Sequence, residues 1–172
     1  MDLVNFPHEH LEIVDINDEI IGSASRSIVH RSPLLIHREV DILIYDNQNR
    51  LLFQQRSRNK HQHPLAWSFG AGGHVTAGVT PEEAAIAEMR EELGLTGGVK
   101  FWKKKFIKDP KNHRFVYFFI YKYNGEEIAP DPKEVEQVKF VSQEEFCDEF
   151  FAPNPVNDRA HKVVKDFWKE FK

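Results

Sequence analysis

The chain has 172 residues, 41% of them hydrophobic, and a formal net charge of -4. That length suits one compact domain with a sizeable core. The negative balance excludes binding of nucleic acid polymers through bulk electrostatics and leaves room only for a local basic pocket. The single cysteine, Cys147, excludes an intramolecular disulfide framework, and no apolar run is long enough to span a membrane. The opening MDLVNFPHEH lacks the basic start and apolar core of a secretory signal, so a cytoplasmic location is the expectation.

Leu11 to Ile16 and Glu19 to Ser23 read as a hairpin about Asn17 and Asp18. It belongs to a β-rich extension over residues 1–35, ahead of a core over 36–172, the whole 1–172 forming a single domain. Arg38 to Tyr45 and Leu51 to Gln55 are β-prone runs joined by the turn residues Asp46-Asn47-Gln48-Asn49. Ala66 to Phe69 is a short strand feeding Gly70 to Gly73, where little side-chain bulk lets backbone approach a ligand or metal. Thr80 is a natural N-cap, Pro81 fits the first helical position, Glu83 completes a capping box, and Gly94 stops the helix Pro81 to Leu93. Within it Ala85, Ile86, Met89 and Leu93 form an apolar stripe, so Met89 reads as core.

Val99 to Ile107 and Arg114 to Tyr123 predict long strands separated by Asp109-Pro110-Lys111-Asn112. The run FVYFFIY is apolar on both faces, which places its strand in the middle of a sheet covered on both sides. Val135 to Val141 is a further strand, and Ser142 with Glu145 predicts the cap of a short helix in which Cys147 is a small buried apolar group. The closing helix, roughly Val156 to Phe171, sets Val163, Val164, Phe167, Trp168 and Phe171 on one apolar face. This order of elements predicts an α/β fold with a mixed sheet between helices.

Chemistry is concentrated in GGHVTAGVTPEEAAIAEMREELGL, residues 72–95. Glu88, Glu91 and Glu92 stand at i, i+3 and i+4 on one helix face near the C-terminal end. Like charges at these spacings repel by roughly 0.2–0.5 kcal/mol per pair, and the helix dipole opposes each anion there by roughly 0.3–1 kcal/mol. A divalent cation reverses both penalties. Hard cations take carboxylate oxygens together with substrate phosphates, so three convergent glutamates point to metal-assisted phosphate chemistry. An isolated E-x-x-E-E would read equally as a solvated acidic face.

The longer pattern closely resembles the Nudix box: Gly73, Glu88, Met89, Glu91-Glu92, Gly94 and Leu95 match, whereas Val79 stands where the family has glutamate and Ala87 where it has arginine. The resemblance implies an α/β/α sandwich and hydrolysis of a diphosphate bond. Upstream, Arg56-Ser57, Lys60, Pro64 and Trp67, with Val14-Asp15, Arg26, His30 and His37-Arg38, look like the isopentenyl-diphosphate isomerase-like branch of that family. In the isomerases, positions matching Arg26, Arg56 and Lys60 engage the diphosphate, and positions matching His30, His37 and His74 belong to a metal site. Basic residues and histidines taken one at a time read equally as solvated or locally hydrogen-bonded groups.

True isomerases also need a cysteine just before the glycine-histidine pair and a glutamate-x-glutamate on a later strand. Gly72 stands at the former position, with Asn112 and Arg114 at the latter. The resemblance therefore implies a Mg2+- or Mn2+-dependent hydrolase of a small-molecule diphosphate, with Glu88, Glu91, Glu92 and the Gly72 carbonyl as metal ligands. Glu134 and Glu136 are candidates for a further acid at the metal or the attacking water, and a solvated loop is the other reading of each. Ala87 cannot orient a box glutamate as arginine does, so a non-catalytic nucleotide-sensing domain and an isomerase are the alternatives. Trp67, Phe69 and Phe118 offer rings for stacking a base or leaving group, with core packing the plainer role. Oligomeric state, monomer or homodimer, stays open.

Overall fold

Local hydrogen bonds explain the first hairpin. In the computed structural model, which describes residues 9–60, 63–110, 112–154, 156 and 158–171, the Asp15 carboxylate accepts the N–H groups of Asn17 (2.8 Å) and Glu19 (2.9 Å) and so closes the turn. Strands β1 (His10–Val14) and β2 (Ile20–Ser25) run antiparallel, Leu11 facing Ala24. The short helix α1 (Arg26–Val29), which the sequence did not announce, follows directly.

Then come β3 (His37–Tyr45), β4 (Leu51–Arg56), β5 (Trp67–Phe69), β6 (Ala71–His74), α2 (Pro81–Leu93), β7 (Lys100–Asp109), β8 (Asn112–Lys122), β9 (Val135–Val141) and α3 (Asp158–Glu170). A seven-stranded sheet has the order β5-β4-β3-β8-β7, with β6 beside β3 and β9 beside β4. Strand β8 thus has a neighbour on each side, as its two-sided apolar character requires. Among the described residues no helix is long and apolar enough to cross a membrane.

The chain divides into two units, Met1–Asp41 with Gly72–Ala85 and Phe101–Phe119, and Ile42–Ala71 with Ile86–Lys100 and Ile120–Lys172. In the first, the hairpin is fixed by a buried carboxylate. Asp18 accepts hydrogen bonds from Arg38 Nε (2.7 Å), Lys104 Nζ (2.7 Å) and the Tyr117 hydroxyl, and Arg38 also pairs with Glu12 (2.9 Å). Burial by itself would raise the Asp18 carboxyl, but the bonds from Lys104, Tyr117 and Arg38 outweigh it and hold the group below its ordinary 3.8. Backbone bonds continue the attachment, Val14 N–H to the Ile36 carbonyl (2.9 Å) and Ala77 N–H to that of His10 (2.8 Å).

In the second unit β4 lies between β5 and β9, so that Gln54 faces both Ser68 and Val138. Glu136 is passed over where Gln55 faces Gln137 and Arg56 faces Val135, a bulge that re-aims the Glu136 side chain. Phe53 meets Phe146 (5.5 Å between ring centroids) and Phe151 (4.9 Å). On α3, Val163, Val164, Phe167 and Trp168 are buried as their spacing predicts, and the Trp168 indole donates to the Asn49 carbonyl (2.9 Å).

Two expectations need correction. The Ser142 and Glu145 capping bonds form, with Ser142 N–H to the Glu145 carboxylate at 2.9 Å and Glu145 N–H to Ser142 Oγ at 3.3 Å, yet they close a turn and not a helix. Phe146 is drawn into rings with Phe53, Phe151 and Trp168, so the path breaks there and resumes as a 3-10 turn, Asp148–Phe151. Cys147, at the break, is exposed and not buried.

Candidate metal and phosphate site

Helix α2 starts as its capping box dictates. Glu83 N–H donates to Thr80 Oγ1 (3.3 Å), and the Glu83 carboxylate accepts from the Thr80 hydroxyl (2.7 Å) and N–H (2.9 Å). At the other end Gly94 takes a φ of +70° and its N–H reaches the Arg90 carbonyl (2.9 Å), while the Glu92 and Leu93 carbonyls accept the N–H groups of Asp131 (3.1 Å) and Ala129 (2.9 Å). Met89 and Leu93 are fully buried.

This anchoring sorts the acids. Glu91 is exposed and Glu88 half-buried, whereas Glu92 is 9% exposed and accepts a 2.8 Å hydrogen bond from the Gln54 side-chain amide, itself 5% exposed. The sequence reading missed Gln54; its signal was a polar residue in the middle of the buried run LLFQQR.

Of the cationic candidates, Lys60 forms an ion pair with Glu134, and the neighbouring Arg58 pairs with Glu136, Nε to Oε1 3.1 Å. Two carboxylates considered for a metal therefore face cations in this structure. Arg56 ends β4, its N–H bonded to the Ala66 carbonyl (2.9 Å). Arg26, in the first unit, pairs with Glu9 (2.9 Å).

Histidines assemble a different arrangement. His30 follows α1, His37 opens β3 and His74 closes β6, yet one ring nitrogen from each lies within 4.8 Å of the others. Among the described residues this is the cluster of three such groups with convergent ligand atoms, and Glu88, Glu91 and Glu92 are not drawn into one. His30 Nε2 and His74 Nε2 are 2.9 Å apart. Burial pushes the His74 imidazole down to about 3 and lowers His30 as well, with Arg26 adding to the latter effect.

The donor set fits a borderline divalent ion. His37 is 0% exposed, and neither of its ring nitrogens has a hydrogen-bond partner. An unpaired buried polar group costs about 1–3 kcal/mol, and neutral imidazole is the form that binds metals. Glu39 Oε1 lies 3.6 Å from His37 Nε2 and 3.7 Å from His74 Nε2, and Glu39 Oε2 lies 2.8 Å from Arg114 Nε. Sequence spacing alone could not find this group, since nothing in the numbers 30, 37 and 74 brings the residues together without the fold.

Comparison with known proteins now settles the family, because residues 35–167 match the NUDIX domain. The chain belongs to the Nudix family. It is 33% identical over 149 residues to an isopentenyl-diphosphate delta-isomerase of Streptomyces coelicolor, covering 80% of this chain and 73% of that one. It is also 30% identical over 145 residues to an uncharacterised Nudix hydrolase of Yersinia pestis, covering 83% and 79%. The crystal structure of DR0079 from Deinococcus radiodurans superposes with a TM-score of 0.69 at 22% identity, over 93% of this chain and 99% of that one.

The mixed sheet with its helices is accordingly the Nudix fold, and residues 72–95, which resemble its box, lie within the matched span. Two features separate this Nudix chain from the isomerase pattern. A Cβ built on Gly72 would lie 2.6 Å from the Val40 carbonyl oxygen and 2.7 Å from Asp41 Oδ1, so this backbone has no room for a cysteine. At the later strand Asn112 accepts from Arg114 Nη1 (3.2 Å) where two carboxylates would be needed.

Proposed function

We propose that this Nudix protein is a metal-dependent hydrolase that splits a diphosphate bond in a nucleoside-diphosphate-linked or related small molecule. The observation that carries this reading is Glu92, a carboxylate kept almost out of water at the C-terminal end of a helix, where burial and the helix dipole both oppose its charge. A cation beside it relieves both. The carboxylates of Glu88, Glu91 and Glu92 are the donor set for Mg2+ or Mn2+, with the Gly72 carbonyl added by resemblance; Glu134 and Glu136 remain candidates that would first have to leave their cations.

When bound, the ion neutralises charge at the diphosphate and acidifies a water molecule. Glu92 or a downstream glutamate would orient or deprotonate the attacking water, while Arg56, Lys60 and Arg26 would hold phosphate oxygens through charge-assisted hydrogen bonds. His30, His37 and His74 would hold a second, borderline ion. The histidine cluster and the isomerase relatives favour a second reading, isomerisation of an isopentenyl-type diphosphate; the crowded Gly72 and the Asn112-Arg114 pair oppose it.

A panel of diphosphate compounds assayed for phosphate release with Mg2+ and Mn2+, with Glu92→Gln as control, tests the proposal. Turnover that the variant abolishes supports hydrolysis. No turnover with a nucleotide-induced rise in Tm would replace it with a sensing role, and deuterium uptake from D2O into an isopentenyl diphosphate would replace it with isomerisation.

A further inference from the structure

We infer that Gln54 is a positioning residue for Glu92, supplying from a strand the orienting contact that Ala87 cannot supply from the helix; the inference rests on Glu92 being a metal ligand as proposed above. Gln54 occupies the middle of β4, preceded in the chain by Leu52 and Phe53, both fully buried, and paired across to Ser68 and Val138. Apolar side chains fill such positions in most sheets. An amide there costs about 1–3 kcal/mol unless hydrogen-bonded, and a buried carboxylate costs more. The 2.8 Å bond between them gives the amide an acceptor and one carboxylate oxygen a donor.

Its neighbour shows the contrast. Gln55 points to the other face of β4, donates to the Leu65 carbonyl (2.9 Å) and accepts from Gln137 (2.7 Å), which ties strands and turn together. Gln54 instead spends its amide on a residue of the Nudix box. A donor on a strand paired along both edges has little freedom to move, which makes it a better guide for a carboxylate than a flexible surface side chain.

Charge distinguishes this device from an arginine. The amide is neutral, so it holds one oxygen of the Glu92 carboxylate without cancelling its negative charge, and that charge stays available to a cation. Metal ligands held by such outer partners commonly lose about 10–100-fold in metal affinity or activity when the partner is removed.

The test is calorimetric titration with Mg2+, which selects oxygen ligands and leaves the histidine cluster aside. Gln54→Met keeps length and approximate volume while removing the donor. Its Mg2+ affinity falls about 10–100-fold, and Gln54→Met combined with Glu92→Gln binds within about twofold of Glu92→Gln alone, the non-additivity of a coupled pair. Wild-type affinity in Gln54→Met, with Glu92→Gln weakened, reduces Gln54 to packing and leaves the proposed function standing. Equal affinity in the wild type and Glu92→Gln overturns the ligand role of Glu92 and the inference with it.

A measurement that needs no Gln54 variant follows the Gln54 side-chain amide by NMR in the 15N-labelled wild type. The resonance moves on adding Mg2+, and that response is lost in Glu92→Gln. An amide signal that stays still at saturating Mg2+ overturns the positioning role.

Discussion

The glutamate face of α2 presents carboxylates and the histidine cluster presents imidazoles, and the two are encoded over different distances. Glu88, Glu91 and Glu92 lie within one and a half turns of one helix, so spacing alone puts them on a common face. His30, His37 and His74 come from a helix end, a strand start and a strand end, and meet only through tertiary structure. The first set shares a face wherever the helix forms, whereas the second exists only in the assembled fold.

Breaking each region separately gives the largest effects. Glu92→Gln lowers Mg2+-dependent turnover of any responsive diphosphate by about 100-fold or more in steady-state assays, and leaves Co2+ binding at the histidines unchanged. His37→Gln does the reverse: visible absorption on titration with Co2+ reports an affinity lowered by more than about 10-fold, with Mg2+ affinity as in the wild type.

A subtler test strikes the scaffold and neither donor set. Asp18→Ala leaves Arg38 and Lys104 without their shared carboxylate and costs about 3 kcal/mol in denaturant unfolding. Because Arg38 follows His37 on β3, Co2+ affinity also falls, whereas Mg2+ affinity at the helix is retained. Equal loss at both regions would erase the distinction between local and long-range encoding.

Acid gives the smallest effect. The folded Asp18 carboxyl lies below its ordinary 3.8, so its contribution to stability is complete above that value and is lost as pH falls through the lower folded value. Unfolding curves taken downward from pH 5 therefore steepen in the wild type below about pH 4 and do so less in Asp18→Asn.

The same contrast explains what could be read beforehand. The capping box at Thr80, the buried face of α3 and the central place of β8 rest on period and local chemistry, and the structure has each of them. The box glutamates were found by spacing and the histidines only through a resemblance. Gln54 escaped notice because a glutamine in an apolar run has no meaning until its partner is known, and that partner lies 38 positions away. Ser142 and Glu145 show the opposite failure: a correct local signal whose helix was overridden by aromatic packing around Phe146.

The ion pair between Lys60 and Glu134 gives this part of the molecule a built-in competitor. An anion reaching Lys60 would either share the three ammonium donors with Glu134 or take its place, so it meets a charge already partly neutralised. A single phosphate gains little from such a swap, and a flexible polyanion gains no open field to gather it. If Lys60 holds a phosphate oxygen as proposed, it would answer best to a ligand whose other contacts keep that oxygen in place, and the pair would act as a filter on the company a phosphate keeps.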